Sequence, residues 1–343
     1  GLLALSFVFD RWSRKGLMTV SLLVSSAFSL LLAASPNYGL LLLLRMLQGL
    51  ALSALPAIAM TYLSEEIGER SLGSAMGLYI SGNSLGGMVG RMLSGFITDW
   101  LGWRAALSFL GLLGIAAGLL FLLLLPPSKQ GRRYSRGWKA LVSSALAALN
   151  NRGLLWLYGI GFATMGCFVC LFNYIGYHLT EPPYSLSQSF IGWLFAVYLA
   201  GTFSSTWMGR LAGKHGSRAV LSAGISAMAT GSLLTLSEWL WVQLAGMALF
   251  AFGFFGSHSV ASSWVGRSAG EVKAQASSFY LFFYYIGSSA IGAFGGTIWS
   301  RYRWAGVVAL VTGVLLLALA TFARMARWAR QDEGEAESYR GLS

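Results

Sequence analysis

Acids, histidines and cysteines are all scarce in this sequence, and each scarcity closes a class of function. There are 12 Asp and Glu against 24 Lys and Arg, three His and two Cys, and charged residues make up only 10% of the 343 positions. None of the acids lies well inside an apolar run, and the three histidines are scattered. A membrane enzyme needs acids or histidines gathered at one face, so this pattern argues against catalysis. Cys167 and Cys170 form a C-x-x-C within an apolar run, but no second pair or nearby histidine completes a metal site. They read as small packing residues, and no metal is expected. The phosphate-binding pattern G-x-x-x-x-G-K-[ST] is absent, and no other cofactor signature is present.

Apolar length is what the chain has in abundance. Mean hydropathy is +0.63, and 56% of residues are hydrophobic, which excludes an ordinary soluble domain. Runs long enough to cross a bilayer occur near 17–35, 38–63, 72–97, 105–125, 154–178, 190–208, 220–236, 240–264, 274–299 and 304–322. Residues 1–9 read as the end of a further helix. The expected fold is an all-α polytopic membrane protein.

A net charge of +12 suggests nucleic acid in a soluble protein, but here the positions of the charges decide. With the loop at 10–15 placed in the cytoplasm, strict alternation puts 19 of the 24 basic residues on that side. Only Arg104, Arg301 and Arg303 face out, while Arg45 and Arg91 lie inside spans. That bias sets a topology with cytoplasmic linker and C-terminus, and it accounts for the charge without nucleic acid. The basic stretch at 126–152 divides an N-terminal bundle (1–125) from a C-terminal six-helix bundle (153–325), followed by a tail (326–343).

The halves repeat. The string Asp10-Arg11-x-Ser13-x-Lys15 aligns with Gly213-Lys214-x-Gly216-x-Arg218, and Tyr79, Gly86, Gly95 and Trp103 align at offset 201 with Tyr280, Gly287, Gly296 and Trp304. Both halves start on the same side, so they are parallel repeats. The helix at 154–178 then has no upstream partner, so a first helix and part of the second are expected to be missing.

Inside the run at 72–97, Gly82, Gly86, Gly90 and Ser94 fall four apart and bare one helix face, the device by which membrane helices pack closely. Gly287 is the counterpart of Gly86 in the repeat. Arg91 sits within the same stretch, and a guanidinium in a span is a functional-site hypothesis. Arg45 lies about 10 Å inside its span at 1.5 Å per residue. With no acid in any visible span, these two cations await either a carboxylate from the missing helix or an anionic substrate.

Several strings resemble the major facilitator superfamily along the whole chain. The segment from Ser6 to Lys15 resembles its G-x-x-x-D-R-x-G-R-K loop, with serines at two glycine positions. Arg45-Met46-Leu47-Gln48-Gly49 resembles its R-x-x-Q-G element. The stretch from Gly82 to Leu93 resembles a motif of exporters, G-x-x-x-G-P-x-x-G-G-x-L, with Gly87 in place of the proline and Arg91 in place of a glycine. Longer strings resemble bacterial inner-membrane permeases of the drug/proton-antiporter-like group within that superfamily.

The resemblance implies two six-helix bundles rocking around a midplane site, a monomer in the lipid bilayer of the inner membrane, and a small-molecule substrate. It also implies roles. Asp10 caps a helix start near Gln275 and Ala276 when the cytoplasmic side closes, Arg14 is placed to reach Glu65 or Glu66, and Arg11, Gly213, Lys214 and Arg218 complete the gating loops. Within the spans, Asn173, Tyr174, Tyr280 and Tyr284 supply rings and hydrogen bonds to a cavity. His258 is the imidazole deep in a span, and its ordinary pKa suits a proton-coupled step. The expected function is a secondary transporter, with proton-coupled efflux favoured and uptake of an organic anion through Arg45 and Arg91 as the alternative.

Overall fold

The structure, a computed structural model, describes residues 14–53, 55–66, 69–126 and 138–340. All regular elements within them are helices: α1 (Arg14–Ala33), α2 (Tyr38–Leu52), α3 (Leu55–Glu66), α4 (Glu69–Leu124), α5 (Trp138–Asn150), α6 (Arg152–Thr180), α7 (Gln188–Leu194), α8 (Tyr198–His215), α9 (Ser217–Leu234), α10 (Leu240–Ser268) and α11 (Lys273–Arg340). Five helical runs among the described residues are long and apolar enough to cross a membrane, and two of them, Leu85–Leu124 and Gln275–Phe322, each hold two of the spans expected from sequence.

Those two runs are bent, not straight. α4 turns at Gly102 (φ 82°, ψ 166°) and α11 turns at Arg303 (φ 53°, ψ −150°). The bends lie at the same offset of 201 that relates the sequence repeats. A left-handed φ is free for glycine and costly for a residue with a Cβ, so Gly102 suits its bend and Arg303 does not. Single-residue bends leave no room for a loop, so each pair of spans forms a tight hairpin.

Three other expected spans are altered. The run at 38–63 is divided into α2 and α3, with Pro56 in the first turn of α3, where its missing N–H costs nothing. The run at 190–208 is divided by a short 3₁₀ turn, Phe195–Val197, into α7 and α8. The run at 220–236 falls in α9, an 18-residue helix rich in Ser, Gly and Ala. Within the expected linker, Trp138–Asn150 is helical.

The chain divides into two compact units, residues 1–135 with 186–196, and residues 136–185 with 197–343. In the first, Met18, Ile58 and Tyr62 form a buried cluster with Leu55, Phe121 and Leu125 against it, and the Tyr62 hydroxyl donates to the Pro126 carbonyl at 2.9 Å. Gly111, Gly114 and Gly118 of α4 leave room for Leu30, Ser26 and Leu23 of α1.

In the second unit, α9 and α10 meet along an antiparallel glycine seam. A Cβ on Gly231 would stand 2.6 Å from the Gly246 carbonyl oxygen, and one on Gly246 would stand 2.7 Å from that of Gly231. Gly224 and Gly253, one heptad along each helix, repeat the arrangement. Cys167 and Cys170 are fully buried free thiols in α6, with the Cys167 Sγ 3.5 Å from the Val311 carbonyl.

Candidate functional site

In the first unit the two candidate cations, Arg45 and Arg91, lie on α2 and α4. Arg45 is exposed on α2, one turn before Gln48, and its Nη1 donates to the Gln48 Oε1 at 3.1 Å. Gln48 is itself fixed from α1, since its Nε2 donates to the Ser25 carbonyl at 3.0 Å and to the Ser29 Oγ at 2.7 Å. The guanidinium is thus aimed by an amide that two serines of the neighbouring helix hold in place.

Arg91 is also exposed, and its guanidinium carbon lies 4.4 Å from the centre of the Phe195 ring, a cation–π contact. One turn further along α4, the Gly95 backbone meets α7. A Cβ at Gly95 would lie 3.2 Å from the Gly192 Cα and would collide with the Gln188 carbonyl. The exposed Asp99 carboxylate then accepts from the Gln188 and Ser189 amides, at 3.0 and 2.6 Å, satisfying donors that the start of α7 leaves open.

Among the described residues, the close small-residue contact of α4 with α7 falls on Gly95. A Cβ at Gly82, Gly86 or Gly90 would meet no described atom within 4 Å, whereas Gly95 is in contact. Close approach needs a second bare backbone as well as the first, and Gly192 supplies it opposite Gly95. Gly287 does sit in a close contact, because a Cβ there would collide with the Phe162 carbonyl of α6.

Of the gating candidates, Asp10 and Arg11 lie outside the described residues. Arg14 opens α1, half-buried, and Glu65 and Glu66 close α3. Gly213 and Lys214 are exposed in the last turn of α8. The chain then turns at Gly216 (φ 83°), and Arg218 sits in the first turn of α9. Arg267 of α10 donates to the Ser217 Oγ at 2.8 Å, pinning that turn.

In the second unit the ring-bearing candidates converge. His258 of α10 is half-buried, with its Nδ1 3.0 Å from the Tyr280 hydroxyl of α11. The Tyr284 ring lies 4.7 Å from the imidazole, and Phe254 stacks near it at 6.1 Å. Phe254 in turn lies 3.9 Å from Phe168 of α6 in a stacked pair. Tyr280 is only 2% exposed, because Gly161 of α6 leaves the space its ring occupies. A tyrosine on another helix is thus the described hydrogen-bond partner of the His258 ring.

Asn173 and Tyr174 do not join this group. Asn173 is exposed. Tyr174 is used structurally: its hydroxyl donates to the Gly292 carbonyl at 3.0 Å and its ring fills the space beside Gly295. Tyrosine at a glycine-rich helix face is held by packing, which spacing alone does not distinguish from cavity lining.

Sequence reading missed a polar knot at the far end of the same unit. Gln243 is 1% exposed, and its Nε2 donates to the Tyr184 hydroxyl and the Ser237 carbonyl, each at 2.7 Å. His178 stacks on Trp304 at 5.0 Å, the Trp304 Nε1 donates to the Thr235 carbonyl at 2.8 Å, and Arg303 pairs with Glu181 at 3.1 Å. No local pattern marks it, since its members come from three separate stretches of chain.

Apolar helices joined by sharp hairpins, glycine seams between them and polar side chains confined to a few fixed positions define a polytopic helical membrane protein. The sequence model described as Major Facilitator Superfamily matches residues 1–182 and 179–341. The chain belongs to that superfamily, and it is a multi-pass secondary transporter and not an enzyme. It is 48% identical over 308 residues to the uncharacterized MFS-type transporter YybF of Bacillus subtilis, covering 90% of this chain and 76% of YybF. With the inner membrane transport protein YnfM of Escherichia coli it shares 44% over 327 residues, 95% of this chain and 78% of YnfM. The fold matches a crystal structure of the nucleoside transporter NupG with a TM-score of 0.72 at 15% identity, covering 94% of this chain and 86% of that one.

Proposed function

We propose that this transporter exports a small organic solute across the bacterial inner membrane, driven by proton entry, through alternating access of an N-terminal bundle (1–125) and a C-terminal bundle (153–325) joined by a cytoplasmic linker (126–152). It works as a monomer with a cytoplasmic tail. The observation that carries this reading is the pairing of His258 with Tyr280, beside Tyr284 and Phe254. An imidazole is the side chain whose proton is exchanged most readily near neutral pH. In the tautomer whose Nδ1–H donates to the tyrosine oxygen, Nε2 keeps the lone pair that takes a proton, and the surrounding rings offer flat apolar faces to a solute. Arg91, Arg45 and the residues at the helix ends and loops, Asp10, Arg11, Arg14, Glu65, Glu66, Gly213, Lys214 and Arg218, serve gating and coupling in this scheme.

A screen of aromatic solutes in proteoliposomes tests it. Under an imposed proton gradient at least one solute is expected to move against its own gradient, and uphill flux should stop when the proton gradient is dissipated. His258→Gln is expected to lose uphill transport while keeping solute exchange, and Tyr280→Phe to shift the pH dependence of the flux. A second reading, uptake of an organic anion, is favoured by one observation: the described partner of the Arg45 guanidinium is the uncharged Gln48. Guanidinium stays charged at any physiological pH and forks onto carboxylates. Flux of an anionic solute that is unchanged at zero proton gradient, together with loss of its binding in both Arg45→Ala and Arg91→Ala, replaces the first reading with the second.

A further inference from the structure

The second unit carries an apolar groove of about 480 Å³ between α6 and the two arms of α11. Its walls include Trp156, Gly159 and Ala163 of α6, and Leu310, Leu317 and Thr321 of α11. Gly159 lowers the floor, since nothing lies within 4 Å of where its Cβ would stand. From Leu310 to Thr321 the wall rises about 16 Å at 1.5 Å per residue, roughly half of the ~30 Å hydrocarbon core of a bilayer. The groove has the length of one leaflet and is not a passage across the membrane. Its lining is almost wholly apolar, with the Thr321 hydroxyl and the Trp156 indole at one end, so it offers little to orient a polar solute.

That same end is basic. Arg152 opens α6, and positions 152, 156, 159 and 163 fall on one helical stripe, so the arginine stands one turn beyond the groove's mouth. It is exposed and makes no ion pair with any described residue. In sequence Arg324 follows Thr321 by three residues, and Arg327 and Arg330 come after it on the same helix. An apolar channel one leaflet long with an exposed arginine one turn beyond its end matches a lipid with an acyl chain and an anionic head. Basic pockets at the ends of membrane helices recognise such headgroups.

We propose that this groove is a binding site for an anionic phospholipid, with one acyl chain along α6 and α11 and the phosphate at Arg152. The assignment does not depend on the transported solute or on the direction of transport. Native mass spectrometry of the purified full chain tests it with two probes of identical acyl chains, a phosphatidylglycerol and a phosphatidylcholine. One phosphatidylglycerol is expected to be retained in preference to phosphatidylcholine. Arg152→Gln should reduce that preference about five-fold, the effect of one basic residue near an anionic lipid surface. Gly159→Leu, which fills the floor without displacing a described neighbour, should reduce retention of both lipids. Arg152 is exposed, so Arg152→Gln keeps the test sound even if Gly159→Leu folds poorly. Equal retention of the two headgroups, or retention untouched by Arg152→Gln, overturns the proposal, and a groove blind to headgroup becomes a site for neutral apolar molecules.

Discussion

Arg303 holds a backbone conformation that glycine adopts freely and other residues adopt at a cost of about 1–3 kcal/mol. Its side chain gives something back, through Glu181 at 3.1 Å and the Trp299 ring at 5.8 Å. Both are surface contacts, with Arg303 67% and Glu181 50% exposed at the side chain, so each contributes about 1 kcal/mol or less. Two variants separate these effects. Arg303→Ala loses the contacts and keeps the strain, whereas Arg303→Gly loses both. The glycine variant should therefore be the more stable by about 1 kcal/mol or more, reversing the usual order in helices, where glycine is the weaker residue. Thermal unfolding of the two proteins in the same detergent checks this, and a higher melting temperature for the alanine variant would show that the bend does not require a left-handed residue.

Between elements, glycine faces decide which helices approach closely. Gly231→Ala in α9 would press a methyl onto the Gly246 carbonyl and should cost about 1–3 kcal/mol, the range for overfilling a packed interior. Gly86→Ala, with nothing described within 4 Å of the added atom, should leave thermal stability within about 0.5 kcal/mol. A Gly86 variant that unfolds as readily as the Gly231 variant would place an unseen partner on that face. These two sites show what was legible from sequence and what was not. Spacing at four residues announces a bare face at Gly86, but a bare face is half of a contact, and its partner, like the whole seam at Gly231, is a matter of tertiary arrangement. The division at Phe195–Val197 was similarly hidden. The run at 190–208 holds no proline and no charge to announce a break, and the contacts that seat α7 lie about a hundred residues upstream, where Asp99 caps its start and Gly95 receives Gly192. His258 was legible as a lone imidazole in an apolar run, but its tyrosine partner was not, since Tyr280 is seated there by Gly161 on a third helix.

For the whole molecule, alternation of basic loops predicts an orientation that labelling can test. With the two native cysteines replaced, a single cysteine at position 139 should resist a membrane-impermeant thiol reagent applied to intact cells, and one at position 181 should react. The opposite pattern would invert the topology. Family membership and the helical fold were legible at this scale because they rest on composition and on strings recurring along the full length, which tolerate local surprises such as the helix at Trp138–Asn150. The hairpin bends carry a consequence for ancestry. A chain that arose by doubling an ancestral half inherits each bend as a position, and here that position holds Gly102 in one copy and Arg303 in the other. The turn holds the same place in both copies although only one carries the residue that best suits it, so the kinship of the halves is legible in where the backbone folds back even where the side chains differ.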